Sequence, residues 1–205
     1  MPSSVRRLFA AVGLEPEGCV PWRATLPEKR PGIYVVSQTS SARGVSGGSP
    51  RYPVSKPALD QLLRICPELT VDGHTPTRSR LGDRIGSYWL SDETVLYIGL
   101  AGTSLRERVR SYYTTPLGAS KPHKGGWWLK TLANLDQLYV HYAVSDDVKD
   151  DEDEMLRAFA SHVSRRSRQA LPSDEPVMPF ANLRDGDYRR QRHRIKGETT
   201  DSSAG

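Results

Sequence analysis

Apolar positions change period several times along this chain, and the changes divide it into elements. Val5, Leu8, Phe9 and Val12 recur at helical spacing behind Ser4, a suitable N-cap, and Gly13 stops the run. The pattern predicts a short helix within residues 4–13. Residues 14–30 mix three prolines with charges and read as an irregular connector. The β-branched and aromatic run Gly32-Ile33-Tyr34-Val35-Val36 predicts a strand. From Gln38 to Pro53 the composition turns to Ser, Gly, Arg and Pro, which marks a loop.

Ser55 then stands as an N-cap with Pro57 in the first turn, and Leu59, Leu62, Leu63 and Cys66 share one face, so a helix is expected over 56–66. A weaker helical pattern covers 77–85. Tyr88-Trp89-Leu90 and Thr94 to Ile98 flank Ser91-Asp92-Glu93, which reads as a hairpin. Ser104 caps a helix expected to run through Tyr113, and a Gly- and Pro-bearing loop follows to 126. Trp127, Trp128, Leu129 and Leu132 suggest a short apolar helix, and the alternation from Gln137 to Val144 a strand. A long helix is expected from near Asp151 past Arg166, its early acids and late arginines matching the helix dipole, until Pro172 and Pro176 end it. Disorder is expected from Thr199 onward.

These elements define an α+β fold: a small, mainly antiparallel sheet flanked by helices, with a helical and loop insert at about 38–86. Residues 1–30 form an N-terminal helix and connector, 31–183 the domain proper, and 184–205 a basic, partly disordered tail.

Composition narrows the classes. The 205 residues are 37% hydrophobic, and mean hydropathy is −0.57. No run approaches the ~18 apolar residues of a membrane span, and no apolar stretch follows the N-terminal arginines as in a secretory signal. A soluble cytoplasmic protein without membrane partners is expected. Cys19 and Cys66 are isolated and read as partly buried free thiols. Net charge is +5. Acids concentrate between Asp146 and Glu154, whereas Arg184 to Lys196 is strongly basic, so much of the remaining surface is cationic. That balance permits nucleic-acid binding without requiring it.

Two tripeptides carry the chemistry: Gly32-Ile33-Tyr34 behind Pro31, and Tyr97-Ile98-Gly99, each in a predicted strand. Leu105-x-x-Arg108-Val109 follows on a helix, Glu152-x-x-Met155-Leu156-x-x-Phe159 on another, and Pro179-Phe180-Ala181-Asn182 comes last. Together, in this order, they resemble the GIY-YIG nuclease family, from Pro31 to Asn182. The resemblance implies that family's fold and an endonuclease that hydrolyses DNA. It also implies Arg108 at the scissile phosphate, Glu152 holding one Mg²⁺ or Mn²⁺, Asn182 bracing the site, and Tyr34 or Tyr97 activating water.

The residue types suit that chemistry independently of any family. Phosphodiester hydrolysis needs an activated water, charge neutralisation at phosphorus and help for the leaving oxygen. A guanidinium fork fits two phosphate oxygens, and a lone carboxylate suits Mg²⁺, which keeps several waters. A tyrosine hydroxyl, with a pKa near 10, serves as a base only when positive charge acidifies it. Each residue also has an ordinary alternative. The tyrosines suit a core, Arg108 sits between Arg106 and Arg110, and Glu154 rivals Glu152. Glu152 is preferred because it lies two helical turns before Phe159 and so faces the packing side.

The chain departs from the family pattern in three places. Tyr34 and Tyr97 are 63 positions apart, which requires the insert, and Tyr88 is a competing first tyrosine. Leu100 stands where family members often carry lysine. Tyr112, one helical turn beyond Arg108, is a third candidate in the water-activating network. The segment between Phe159 and Pro179 is unusually long. DNA contacts are expected from Arg78, Arg80 and Arg84 of the insert, from Lys121 and Lys124, and from Arg189, Arg190, Arg192, Arg194 and Lys196. Trp127 and Trp128 are expected in the core rather than stacked on bases, and His123 and His141 lack partners at metal-ligand spacing. A family-type site cuts one strand, so double-strand cleavage implies a DNA-dependent homodimer. A restriction or defence role suits a self-contained chain; a repair nuclease, an RNA target or an inactive binding module are the alternatives.

Overall fold

Residues 2–45, 48–119 and 126–197 are described by the computed structural model of the chain. Strands β1 (Gly18–Pro21), β2 (Gly32–Ser37), β4 (Val95–Ala101) and β5 (Tyr139–Val144) form one antiparallel sheet in the order β1-β5-β2-β4. All six residues of β2 are buried, as its central place demands. Short strands β3 (Thr70–Val71) and β6 (Ile195–Lys196) pair separately.

Helices cover both faces. On one face, α1 (Val5–Ala11) and α6 (Val148–His162) pack Leu8, Phe9, Met155, Leu156 and Phe159 against Ile33, Val35, Ile98 and Ala143. On the other, α2 (Lys56–Ile65), α3 (Arg78–Gly86), α4 (Leu105–Thr114) and α5 (Gly126–Leu129) enclose Tyr34, Val36 and Val140. Ser4, Ser55 and Ser104 cap α1, α2 and α4 as expected, each side chain accepting an N–H three residues on. The fold is α+β, an antiparallel sheet flanked by helices. Among the described residues, no helix is long and apolar enough to cross a membrane.

Five expectations need correction. The connector contains an edge strand, β1, whose residues alternate half-buried and exposed against β5. Its only proline ends it, which an edge tolerates. The hairpin at 88–98 does not form. The N–H groups of Ser87, Tyr88 and Trp89 bond back to the carbonyls of Asp83, Ile85 and Gly86, so α3 runs on into a turn. Tyr88 and Trp89 then bury against Trp128 and Phe180, and the strand pairing with β4 is β2, which carries Tyr34. The long helix starts earlier, at Val148, and breaks at Val163. That residue buries in extended conformation, and Ser164 caps a new helix, α7 (Arg165–Ala170).

The basic tail is no tail over its described part. Asp185, buried, accepts the N–H groups of Asp187 and Arg189 at 3.0 and 2.9 Å, and Ile195 pairs in β6. Gly186 lies so close to α6 that a Cβ would meet the Asp153 carbonyl at 2.1 Å. The expected disorder from Thr199 lies outside the described residues. Cys66 is buried but Cys19 is exposed, and neither is in a disulfide. Trp127 and Trp128 are fully buried, as expected.

One buried acid sets a pH dependence. Glu93 accepts the Ser3 N–H at 2.9 Å through Oε2, while Oε1 is buried without a partner. Burial, then the charge of Asp92, push its carboxyl up to about 7, against the Ser3 bond. A raised carboxyl contributes stability below its unfolded value, near 4.5, and loses that contribution as pH rises through about 7. Glu93→Gln should therefore raise the melting temperature at pH 8 by about 5 °C, from roughly 2 kcal/mol, and leave it unchanged at pH 4. Thermal melts at the two pH values check this; an equal shift at both would contradict it.

Candidate active site

The site is built on the outer edge of β4. Because β2 pairs with one side of β4, alternate N–H and C=O groups on the other side need partners. Leu96 O takes the Ala181 N–H at 2.9 Å. Ile98 is bonded twice by Asn182, its N–H donating to Oδ1 at 3.0 Å and its carbonyl accepting from Nδ2 at 2.8 Å. The next outward amide, Leu100 N–H, favours the charged form of the Glu152 carboxylate. The closing Pro179–Asn182 segment thus pins the second motif strand, through the Ala181 N–H and the Asn182 side chain.

The two motif glycines have steric reasons. Tyr34 sits opposite Gly99 in the β2–β4 register, and its ring lies across that residue. A Cβ on Gly99 would stand 2.5 Å from the Tyr97 ring and 2.9 Å from the Tyr34 hydroxyl. A Cβ on Gly32 would stand 2.2 Å from the Ala143 carbonyl. The β2–β4 register also slips by one residue after Val36; irregularities of this kind re-aim side chains beside functional sites.

Three tyrosines cluster there. Ring centroids of Tyr34 and Tyr97 are 5.8 Å apart, those of Tyr97 and Tyr112 5.0 Å, and those of Tyr34 and Tyr112 6.3 Å. Tyr34 and Tyr112 are fully buried, whereas Tyr97 is half-buried and lines a cleft. The Tyr34 hydroxyl is near that of Tyr97 but outside good hydrogen-bond geometry. Burial raises all three hydroxyls; for Tyr97, the Glu152 charge adds to burial, while Arg108 and Arg184 oppose it, and the result is about 12.

Arg108 lies on α4 one turn before Tyr112 and acts electrostatically on all three tyrosines and on Glu152. Its Nε is buried and has no hydrogen-bond partner, an unmet donor inside the site. Its neighbours have structural duties: Arg106 donates to the Leu26 and Pro27 carbonyls at 3.0 and 2.5 Å, and Arg110 pairs with Glu107. The sequence could not separate the three; their partners do.

Glu152 is only 8% exposed, and its rival Glu154 points to solvent beside Arg157. Burial raises the Glu152 carboxyl more than Arg184 and Arg108 lower it, so its charge is incompletely neutralised. Arg184 Nη2 donates to Glu152 Oε2 at 2.6 Å, and its Nη1 to Asp153 Oδ1 at 2.7 Å. Tyr188 donates to Asp153 Oδ2 at 2.6 Å, with the Arg184 guanidinium over its ring. A cleft of about 440 Å³ opens onto Tyr97, Glu152, Asn182, Arg184, Arg190 and His193.

The donor set fits one Mg²⁺ or Mn²⁺. Among the described residues no group of three or more His, Cys, Asp or Glu gathers. Mg²⁺ needs only one or two carboxylates when water and phosphate complete its shell, and an under-neutralised buried carboxylate gains from a divalent charge.

Other expected contacts scatter. Arg190 lines the cleft and Arg192 is exposed, but Arg189 is engaged with Asp185 at 2.7 Å. Arg78 pairs with Asp60, and Arg80 and Arg84 converge on Asp72. Those three insert arginines are therefore partly neutralised, against the expectation of free phosphate contacts. Arg194 approaches Asp72 at 3.8 Å, and Lys196 is exposed. Lys121, Lys124 and His123 lie outside the described residues. His141 is buried with Nε2 2.9 Å from the Thr39 carbonyl, a structural role.

Scans against protein-family models, curated proteins and solved structures each find no match to this chain.

Proposed function

We propose that this chain is a metal-dependent endonuclease that hydrolyses phosphodiester bonds in DNA, with a GIY-YIG-type fold and site. The observation that carries the reading is convergence: Tyr97, Glu152 and Arg184, from three separate segments, line one cleft, and α4, which carries Arg108, sets Tyr112 against the Tyr97 ring at 5.0 Å. That grouping joins a carboxylate, a guanidinium with an unmet donor and a hydroxyl, which is what attack on a phosphodiester requires.

Glu152 would hold Mg²⁺ or Mn²⁺, which supplies charge neutralisation at phosphorus and acidifies a nearby water or hydroxyl. Arg108 turns its free donor to a non-bridging phosphate oxygen. Tyr97 faces the water, because its ring alone among the three lines the cleft, and Tyr34 and Tyr112 fix that ring from behind. Asn182 keeps the strand beneath Tyr97 in place. Arg190 and Arg192 continue the cationic surface away from the cleft and track the backbone without reading bases. A restriction or defence enzyme is the role we favour, two copies meeting on DNA to cut both strands.

Plasmid DNA with Mg²⁺ tests the reading. Wild type should nick or linearise it, and Glu152→Gln should be slower by a factor of about a hundred or more. Equal cleavage by both, or cleavage of RNA but not DNA in a parallel reaction, would overturn it. With Tyr97 as the base, single-turnover rates should rise with pH between 7 and 9, since its hydroxyl starts protonated.

A further inference from the structure

Resting on that reading, we propose that Arg184 is a displaceable counter-ion that couples metal binding to phosphate binding. In the absence of both, Arg184 occupies Glu152 Oε2; when a phosphate enters the cleft, the same Nη2 turns to it and leaves the carboxylate to the cation.

The geometry separates what is fixed in Arg184 from what is free to move. One edge is held, with Nη1 on Asp153 Oδ1 at 2.7 Å and the guanidinium 4.6 Å above the Tyr188 ring. Asp153 is itself buried and fixed by Tyr188, so this anchor persists whatever happens at Glu152. The other edge makes one side-chain bond, to Glu152 at 2.6 Å. Both groups line the cleft together with Arg190, so an entering phosphate meets this edge directly. A guanidinium donates to phosphate oxygens as readily as to a carboxylate, and a carboxylate stripped of its partner in a buried place needs another cation. Each ligand therefore removes an obstacle to the other, which is positive coupling by mass action. Arg184 lies two residues beyond Asn182, outside the five matched motifs, in the stretch expected to be tail.

The test is calorimetric titration of Ca²⁺ into the full chain, alone and saturated with a duplex shown by electrophoresis to stay uncut. Wild type should bind Ca²⁺ weakly alone and at least tenfold more tightly with the duplex. Arg184→Gln should bind Ca²⁺ at least tenfold more tightly than wild type when alone, and the duplex should then add less than threefold. Its melting temperature should fall without metal and recover on adding Ca²⁺ by more than wild type's does. Arg184→Lys, which keeps a charge but not the fork, should fold and show reduced coupling. If Arg184→Gln binds Ca²⁺ no more tightly than wild type, or if coupling is equal in wild type and both variants, the proposal is wrong. Should Ca²⁺ then still be lost in Glu152→Gln, the nuclease reading survives that failure. No Ca²⁺ binding by any protein, with or without duplex, would remove the metal and this coupling together.

Discussion

On the proposed endonuclease reading, Arg108→Ala should slow DNA cleavage by about a thousandfold or more while leaving the protein folded. Removing one preorganised donor from a developing oxyanion costs about 10²–10³ in rate, and an arginine acting on a transferring phosphoryl group about 10³–10⁵. Arg108 falls within that range because its Nε is buried and unpaired, so the group is held ready and desolvated before substrate arrives. The same fact predicts small damage to stability. No partner of that nitrogen is stranded by the change, and Glu152 keeps its bond to Arg184. Arg108→Lys should recover little, since an ammonium lacks the fork. By contrast Arg106→Ala should cleave at a near-normal rate and melt lower, because its bonds go to the Leu26 and Pro27 carbonyls. Single-turnover rates and thermal melts on the three variants read both quantities. An Arg108→Ala enzyme within tenfold of wild type would remove the guanidinium from the mechanism.

The matched residues meet in space despite the long interval between them. The chain leaves β2 at Ser37 and returns at Val95, yet the two strands are direct neighbours. Loop-closure entropy grows only with the logarithm of length, and the insert contributes its own apolar faces, Leu59 and Leu62 on α2 and Leu81 and Ile85 on α3. Periodicity made those helices legible, and Ser55, the N-cap of α2, marked where the first of them starts. Tyr88-Trp89-Leu90 misled because aromatic residues suit a strand or a buried turn equally. The carbonyls at the end of α3 decided between them. Glu152 was legible from its distance to Phe159, since one helical face carries both. Arg184, Asp153 and Tyr188 were not, because their meeting depends on a tight turn at Asp185–Gly186 that folds the chain back on α6. Proximity in sequence was the available signal, since Arg184 stands two residues beyond Asn182. Net charge hid it, since Arg184 reads as the first of a basic run rather than the last of a site.

Gly32→Ala and Gly99→Ala should fail in different ways, and the difference separates fold from site. At Gly32 the added Cβ would meet a backbone carbonyl, Ala143 O, at 2.2 Å and the Leu105 side chain at 2.8 Å. Backbone between paired strands cannot rotate away, so β2 must separate from β5 at the centre of the sheet. That should cost about 3 kcal/mol or more, and lower the melting temperature by roughly 10 °C. At Gly99 the obstacles are the edges of two rings, Tyr97 at 2.5 Å and Tyr34 at 2.9 Å. Side chains can move, and these are the ones that face the cleft or support the one that does. Gly99→Ala should therefore melt closer to wild type than Gly32→Ala, yet lose cleavage by about a hundredfold, because misplacing a reacting group by about 1 Å has that effect. Thermal melts and single-turnover cleavage on both variants provide the comparison. If Gly99→Ala cuts DNA at the wild-type rate, Tyr97 and Tyr34 need not hold their observed positions, and neither can be the group that activates water.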